Sequence, residues 1–389
     1  MEVNDTADRS SWQPVRLGVA GGIETAIAAL VREHPELAIA DQYERNLEEL
    51  FLLRNPKYRF DRNYHAHFEQ FKTEHAAGKR FVEVGEWFYF PWKNQIVHYL
   101  PDPLHQELRT GRNKFLITTD EQERYYGATI AVAGMSVGSH VALTIAMTGG
   151  ARRMHLADPD TLSGDNLNRI RSGFAEVGTK KVVAVARQIG EMNPYAELRV
   201  FADGVTKENM EQFLSGADVL VEEMDNPVMK FAVRLLAREH KIPVIMAADN
   251  ADGIIADVER FDLEPDRPLL HGLIGDRAPE DFLKIAPHDI PREITKIVGP
   301  KLAHLRALDS VARVGTELYS WPQLGTAATM CGSVLAYLAR RIALRDPKII
   351  SGRYEFNPDP VFEHGYTDAE TVAARAAERA QILKQLGIE

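Results

Sequence analysis

Ile130 to Arg171 reads IAVAGMSVGSHVALTIAMTGGARRMHLADPDTLSGDNLNRIR, and its first residues decide the fold. IAVAG has the length and β-branched content of a strand buried on both faces in a parallel sheet. It breaks at Gly134-Met135-Ser136-Val137-Gly138-Ser139 into VALTIAM, whose apolar residues recur at helical spacing. Glycines suit such a turn because a side chain would keep the backbone away from phosphate oxygens. The helix that follows offers free N–H groups and a positive dipole end. Ser136 replaces the second glycine of the G-x-G-x-x-G fingerprint and Ser139 the third. Gly134, Ser136 and Gly138 are therefore nucleotide-binding candidates, although a turn of this kind alone also serves any tight βα connection.

The second strand, MHLAD, ends at Asp158, 24 positions after Gly134. A Rossmann-like unit places its ribose-binding carboxylate at that distance. Capping the next turn is the structural alternative for Asp158, and Asp160 would do that equally well. Asn166, Asn168 and Arg169 lie directly past the strand, and Lys181 follows Arg169 by twelve residues. Two fixed positive charges and two amides would thus converge on one nucleotide, where isolated Arg and Lys residues are usually surface charges.

DPDTLSGDNLNRIR followed by VGTKKVVAVARQIGEMNP resembles the ubiquitin-activating E1-like superfamily, which includes the ThiF-type adenylyltransferases of molybdopterin and thiamine biosynthesis. Its members show an acid-x-acid pair after the second strand, then N-L-x-R, G-x-x-K and N-P, and all occur here in order. The resemblance covers about Arg112 to Phe261 well and extends to about Asp346. It implies binding of ATP and Mg²⁺ and transfer of AMP onto a carboxylate with release of pyrophosphate. Under it Asp158 would bind ribose, and Asn166, Arg169 and Lys181 the phosphates. Asp225, in VEEMDN, would hold magnesium, with Asn226 beside it. Arg112 would reach the phosphates, in the family often across a dimer interface; Arg109 and Lys114 are its rivals. The implied partners are a carboxylate substrate, either a small acid, a peptide or a ubiquitin-like C-terminus, and a second copy of the chain. Residues 278 to 318 would select that substrate.

The chemistry fits these residue types. A carboxylate attacking an α-phosphate meets a negative centre, so charge must be neutralised on the transferring group and on the leaving pyrophosphate. The attacking group is already ionised and needs no general base. Two C-x-x-C pairs bind structural zinc in many members, but one cysteine cannot supply four ligands, and no zinc is expected. Cys331, in an apolar small-residue stretch, reads as a buried core residue. Adenylation without an enzyme thioester is therefore expected. Two other classes stay open: an NAD-dependent oxidoreductase, which the strand, turn and Asp158 also suit, and a noncatalytic nucleotide-binding protein of the same fold.

The chain has 389 residues, 45% of them hydrophobic, and a formal net charge of -10. That balance argues against a nucleic-acid phosphate surface. The absence of a long uncharged apolar run or a basic leader predicts neither membrane insertion nor secretion, and one cysteine fits a reducing cytoplasm. Alternation of strands and helices from Tyr125 to Met246 predicts an α/β fold: a Rossmann-like, mainly parallel sheet with helices on both faces, plus an added strand near Ala256. Residues 1–105 read as a smaller N-terminal α+β region, 106–350 as the adenylation domain, and 351–389 as a C-terminal extension whose helix opens with a T-x-x-E capping box at Thr367. In the N-terminal region Trp87, Phe88, Tyr89, Phe90 and Trp92 form an aromatic cluster on two strands joined through Pro91, Lys93 and Asn94. The cluster suits a small core or, alternatively, a peptide platform. His98, His271 and His364 are too scattered for a metal triad.

Overall fold

The computed structural model describes residues 8–18, 22–275, 277–286 and 289–388. The N-terminal region contains strands β1 (Val15–Arg16), β2 (Ala38–Asp41), β3 (Glu86–Phe90) and β4 (Gln95–Tyr99), in the sheet order β1-β3-β4-β2. Its helices are α1 (Ile23–Glu33), α2 (Tyr43–Arg54), α3 (His65–Ala76) and α4 (Asp102–Arg109). Helix α2 buries Tyr43, Leu47 and Leu50 at three- to four-residue spacing and ends before Pro56, which cannot continue a helix.

The aromatic cluster is the core and seat of this region rather than a platform. Trp87, Phe88 and Phe90 are buried. The Phe88 ring meets Tyr195 edge-on at 5.3 Å, the Trp92 Nε1–H donates to Glu191 at 2.7 Å, and the Tyr99 hydroxyl donates to the Glu191 carbonyl at 3.0 Å. Rings engaged in this way cannot also present themselves to a peptide.

The main sheet has seven strands: β5 (Thr129–Ala133), β6 (Arg153–Ala157), β7 (Glu197–Phe201), β8 (Val219–Glu222), β9 (Val244–Asn250), β10 (Gly253–Glu259) and β11 (Gly352–Phe356). Their order is β11-β10-β9-β8-β5-β6-β7, parallel from β7 to β9 and antiparallel at β10 and β11. Residues 352–356, which the sequence reading places in the C-terminal extension, form the edge strand. The helices after α4 are α5 (Thr119–Gly127), α6 (Val137–Met147), α7 (Lys181–Met192), α8 (Met210–Leu214), α9 (Pro227–Glu239), α10 (Ile290–Val298), α11 (Leu305–Val311), α12 (Gly325–Ala343), α13 (Asp359–Phe362) and α14 (Ala369–Gln385). Helix α14 starts one turn position later than its motif implies: Asp368, not Thr367, occupies the N-cap, without a side-chain capping bond. Among the described residues no helix is long and apolar enough to cross a membrane.

Alternation along β5 divides the core into two layers. Ile130 and Val132 pack with α6, α7 and α12, whereas Ala131 and Ala133 face α8, α9 and residues 269–297. Helices α6 and α12 approach closely because Gly332 has no side chain: a Cβ there would lie 2.5 Å from the His140 Cβ and 2.9 Å from its carbonyl carbon. Gly332→Ala is therefore expected to destabilise the protein by about 1–3 kcal/mol through overpacking. Denaturant midpoints of the two proteins check this, and equal midpoints would show that the helices can part without cost.

Candidate functional site

Sheet order reverses between β5 and β8, so the crevice at their carboxyl ends is where an open α/β sheet binds ligands. Gly134 makes the crevice geometry possible. Its φ is +90°, and a Cβ would fall 2.4 Å from the Glu223 carbonyl oxygen, so only glycine lets the turn lie against the end of β8. Gly138 plays a milder part, since its Cβ would sit 3.0 Å from Val132 Cγ1, between helix and strand.

The serines that replace the fingerprint glycines have partners. Ser139 Oγ donates to the Ser136 carbonyl at 2.8 Å, and Arg169 Nε donates to Ser136 Oγ at 3.2 Å. Arg169 Nη1 also donates to Asn168 Oδ1 at 2.9 Å and to the Asp165 carbonyl at 3.3 Å. All these acceptors are neutral oxygens. The backbone carbonyl of Arg169 accepts from the buried His140 Nε2, which ties the arginine's segment to α6.

Asp158 is buried at the end of β6. Its carboxylate accepts from the Met135 N–H at 2.5 Å and from the Asp160 N–H at 2.8 Å. Burial pushes its pKa up, against the pull of the Met135 N–H and the Lys181 charge. Lys181 opens α7, its stem buried, with Nζ 2.8 Å from Asp160 Oδ2. Asn166 is buried in the short helical segment Gly164–Asn168. Arg169 and Asp158 thus bond directly to the turn, through Ser136 Oγ and the Met135 N–H, and Lys181 is held beside Asp158 by Asp160.

Across the crevice, Asp225 and Asn226 are exposed just past β8. Asn226 caps α9, accepting from the Met229 N–H at 3.2 Å. Arg112 lies elsewhere. Arg109 and Asn113, its neighbours, donate to the Ala146 and Thr148 carbonyls at the far end of α6. Cations there complement the helix dipole, and Arg112 is left exposed roughly 16 Å of helix away from the turn. Within one chain the structure does not bring Arg112 to the other candidates.

A buried charge network under the crevice escapes the sequence reading. Arg234 is fully buried between Glu222 and Glu259, with Nε 2.9 Å from Glu259 Oε2. Lys230 Nζ lies 2.8 Å from Glu222 Oε2. The Met224 N–H donates to Glu222 and the Leu270 N–H to Glu259, so both carboxylates have a charged and a backbone partner. The run VEEMDN signals acids at a strand end. The cations, by contrast, come from Lys230 and Arg234 of α9, four residues apart.

Glu223 accepts from the Ala247 N–H at 2.8 Å and faces a cleft of about 190 Å³, partly open to solvent, between the β8 and β9 ends and helices α10 and α11. Burial pushes its pKa up to about 8, helped by Asp249 and Asp225 and opposed by Lys230 and the Ala247 N–H. A carboxyl whose folded pKa exceeds the unfolded value keeps its proton in the folded state, so folding stability falls as pH rises from about 4.5 to about 8. Glu223→Gln should therefore gain stability over the parent across that window and match it below. Melting temperatures against pH check this, and parallel curves would refute it. Asp249, also pushed up by burial, accepts from Gln323 Nε2 at 3.1 Å and from Cys331 Sγ at 3.5 Å. Cys331 is fully buried in α12 and its thiol is pushed well above its ordinary pKa.

The sequence model of the ThiF family matches residues 111–374, more than half of the chain. The chain is 34% identical over 271 residues to the uncharacterized protein MT1398 of Mycobacterium tuberculosis (strain CDC 1551 / Oshkosh), covering 70% of this chain and 38% of that protein. It is 34% identical over 122 residues to the tRNA threonylcarbamoyladenosine dehydratase of Escherichia coli (strain K12), covering 30% and 45%. It thus spans less than half the length of either relative. Among solved structures, the E. coli tRNA N6-threonylcarbamoyladenosine dehydratase in complex with ATP aligns at 20% identity and a TM-score of 0.46, over 62% of this chain and 96% of that one. The order of motifs and above all the family match agree, and the chain belongs to the ThiF family.

Proposed function

We propose that this chain is an ATP-dependent adenylyltransferase that activates a carboxylic acid as its acyl adenylate. The carboxylate oxygen attacks the α-phosphorus, the bond to the β-phosphate oxygen breaks, and pyrophosphate leaves. The observation that carries the reading is the bond of Arg169 to Ser136 in the glycine turn, with Lys181 paired to Asp160 two residues past Asp158 and with Asp225 lining the same cleft as Ser136. The donor set fits a nucleoside triphosphate: a glycine-permitted backbone cradle, an arginine bonded to neutral oxygens, and a lysine ion-paired with the largely exposed Asp160. Gly134, Ser136, Gly138 and Asn166 would border the phosphates, Asp158 the ribose, and Asn226 the nucleotide's other side. Asp225 would hold Mg²⁺, which shields phosphate charge as the anion attacks.

Water and thiol chemistry have smaller parts. The burial and raised pKa of Cys331 are unsuited to a nucleophile, which supports direct passage of the acyl group to an external acceptor. Arg112 sits in a loop with the exposed Phe115 and Leu116, and a second copy covering that loop would carry Arg112 to its neighbour's phosphates in a homodimer. The net charge of -10 favours a free acid or peptide over an RNA-borne carboxylate. A single cysteine fits a cytoplasmic setting.

Thermal stability in the presence of ATP with Mg²⁺, and separately NAD, tests the reading. ATP at about one hundred times its dissociation constant would stabilise by about 2.7 kcal/mol. The shift should shrink in Asp225→Ala and Lys181→Ala. Stabilisation by NAD alone would favour an oxidoreductase instead.

A further inference from the structure

The cleft beside the switch point has two chemically different ends. At one end stand Ser136 and Val137, the first turn of α6, with Asp225 opposite. At the other, α10 and α11 turn Ile294, Ile297, Leu308 and Val311 inward, with Trp321 across from them. Ile297 and Leu308 are almost fully buried, so the apolar wall is part of the packed structure. Lys230 is the one cation lining the cleft among the described residues, and its ammonium is already paired with Glu222. Glu223, Asp225 and Asp249 also line it, together with Thr295, Ser310 and Gln323.

Resting on the adenylation reading, we infer that this cleft is an acyl pocket and that the activated acid is a monocarboxylic acid with an apolar body, its carboxyl directed at the Ser136 turn. A glycine-terminated tail would leave the apolar residues without contacts, and each peptide N–H and C=O placed against them would lose its water. A second carboxylate would find no unpaired cation lining the cleft among the described residues. An aliphatic or aromatic body gains from each methylene it buries, at about fourfold in affinity per group.

The test is titration of the full chain with straight-chain acids from butyrate to decanoate, read by tryptophan fluorescence and corrected with Trp321→Phe. Affinity should climb about fourfold per methylene, and the dicarboxylate of equal length should bind at least about tenfold more weakly, a gap of one unfavourable charge contact. Ala307→Trp, which fills the cleft from its half-buried rim, should abolish acid binding while ATP still stabilises the protein. Affinity independent of chain length, equal binding of dicarboxylates, or selective binding of a Gly-Gly peptide would overturn the inference. Pyrophosphate exchange separates the two readings. Exchange supported by the Gly-Gly peptide and not by apolar acids removes the apolar pocket and leaves adenylation standing. Tight, length-dependent binding of apolar acids with no exchange does the reverse.

Discussion

Arg169→Ala should lower acid-dependent AMP formation by about two to three orders of magnitude, the loss typical when one preorganised donor to developing charge is removed. The expectation follows from what holds the arginine. Its guanidinium bonds to Ser136 Oγ, Asn168 Oδ1 and the Asp165 carbonyl, none of which carries charge. Its orientation is fixed while its charge stays available. His140, by accepting no charge and donating to the Arg169 carbonyl, adds a backbone tether; burial keeps that imidazole's pKa low and the ring neutral. Because the Arg169 side chain is only partly buried, the alanine variant should melt close to the parent. Arg169→Lys should fall between the two, since it keeps the charge and loses the fork. A rate within about threefold of the parent would remove Arg169 from the reacting centre, because a tenfold change already corresponds to only about 1.4 kcal/mol.

Arg234→Ala should be the most destabilising single change, at about 3–5 kcal/mol. It would leave Glu222 and Glu259, both fully buried, without their shared cation. Glu222 keeps Lys230, so the energy lost is mainly that of stranding the Glu259 carboxylate in the interior, and neutralising it should recover part of that loss. Glu259→Gln in the Arg234→Ala background should therefore be more stable than Arg234→Ala alone. Denaturant midpoints measure both steps. If the double variant is no better than the single one, the cost lies in lost packing of the arginine stem instead. The network also bears on function, because Glu222 ends β8 directly before Glu223, Met224 and Asp225. A weakened β8 terminus would blur the position of Asp225, so magnesium dependence should shift together with stability.

Strands β5 and β8 were readable because a parallel strand covered on both faces must be apolar throughout, and the runs IAVA and VLV show it directly. Strands β1, β2 and β11 escaped notice: β1 has two residues, and β2 and β11 lie at sheet edges, where one side faces solvent and no pattern is imposed. Helix α3, with three histidines and little apolar periodicity, was equally silent. On the candidate site the difference is one of sequence distance. Asp158, Asn166, Arg169 and Lys181 follow one another within 24 residues along a single βα unit, so local spacing places them side by side. Lys230, Arg234, Asp249 and Gln323 meet the crevice only through strand order and the return of α12, which no local pattern encodes. Arg112 shows the converse: its spacing from Gly134 matched, but Arg109 and Asn113 fasten that segment to the opposite end of α6.

The most direct test of the central claim is carboxylate-dependent exchange of labelled pyrophosphate into ATP by the purified chain with Mg²⁺, across a panel of apolar acids, amino acids and Gly-Gly peptides. Adenylation predicts exchange with at least one acid, none without acid, and loss in Lys181→Ala. Failure of every acid, with ATP cleaved to ADP and phosphate or left intact, would contradict it.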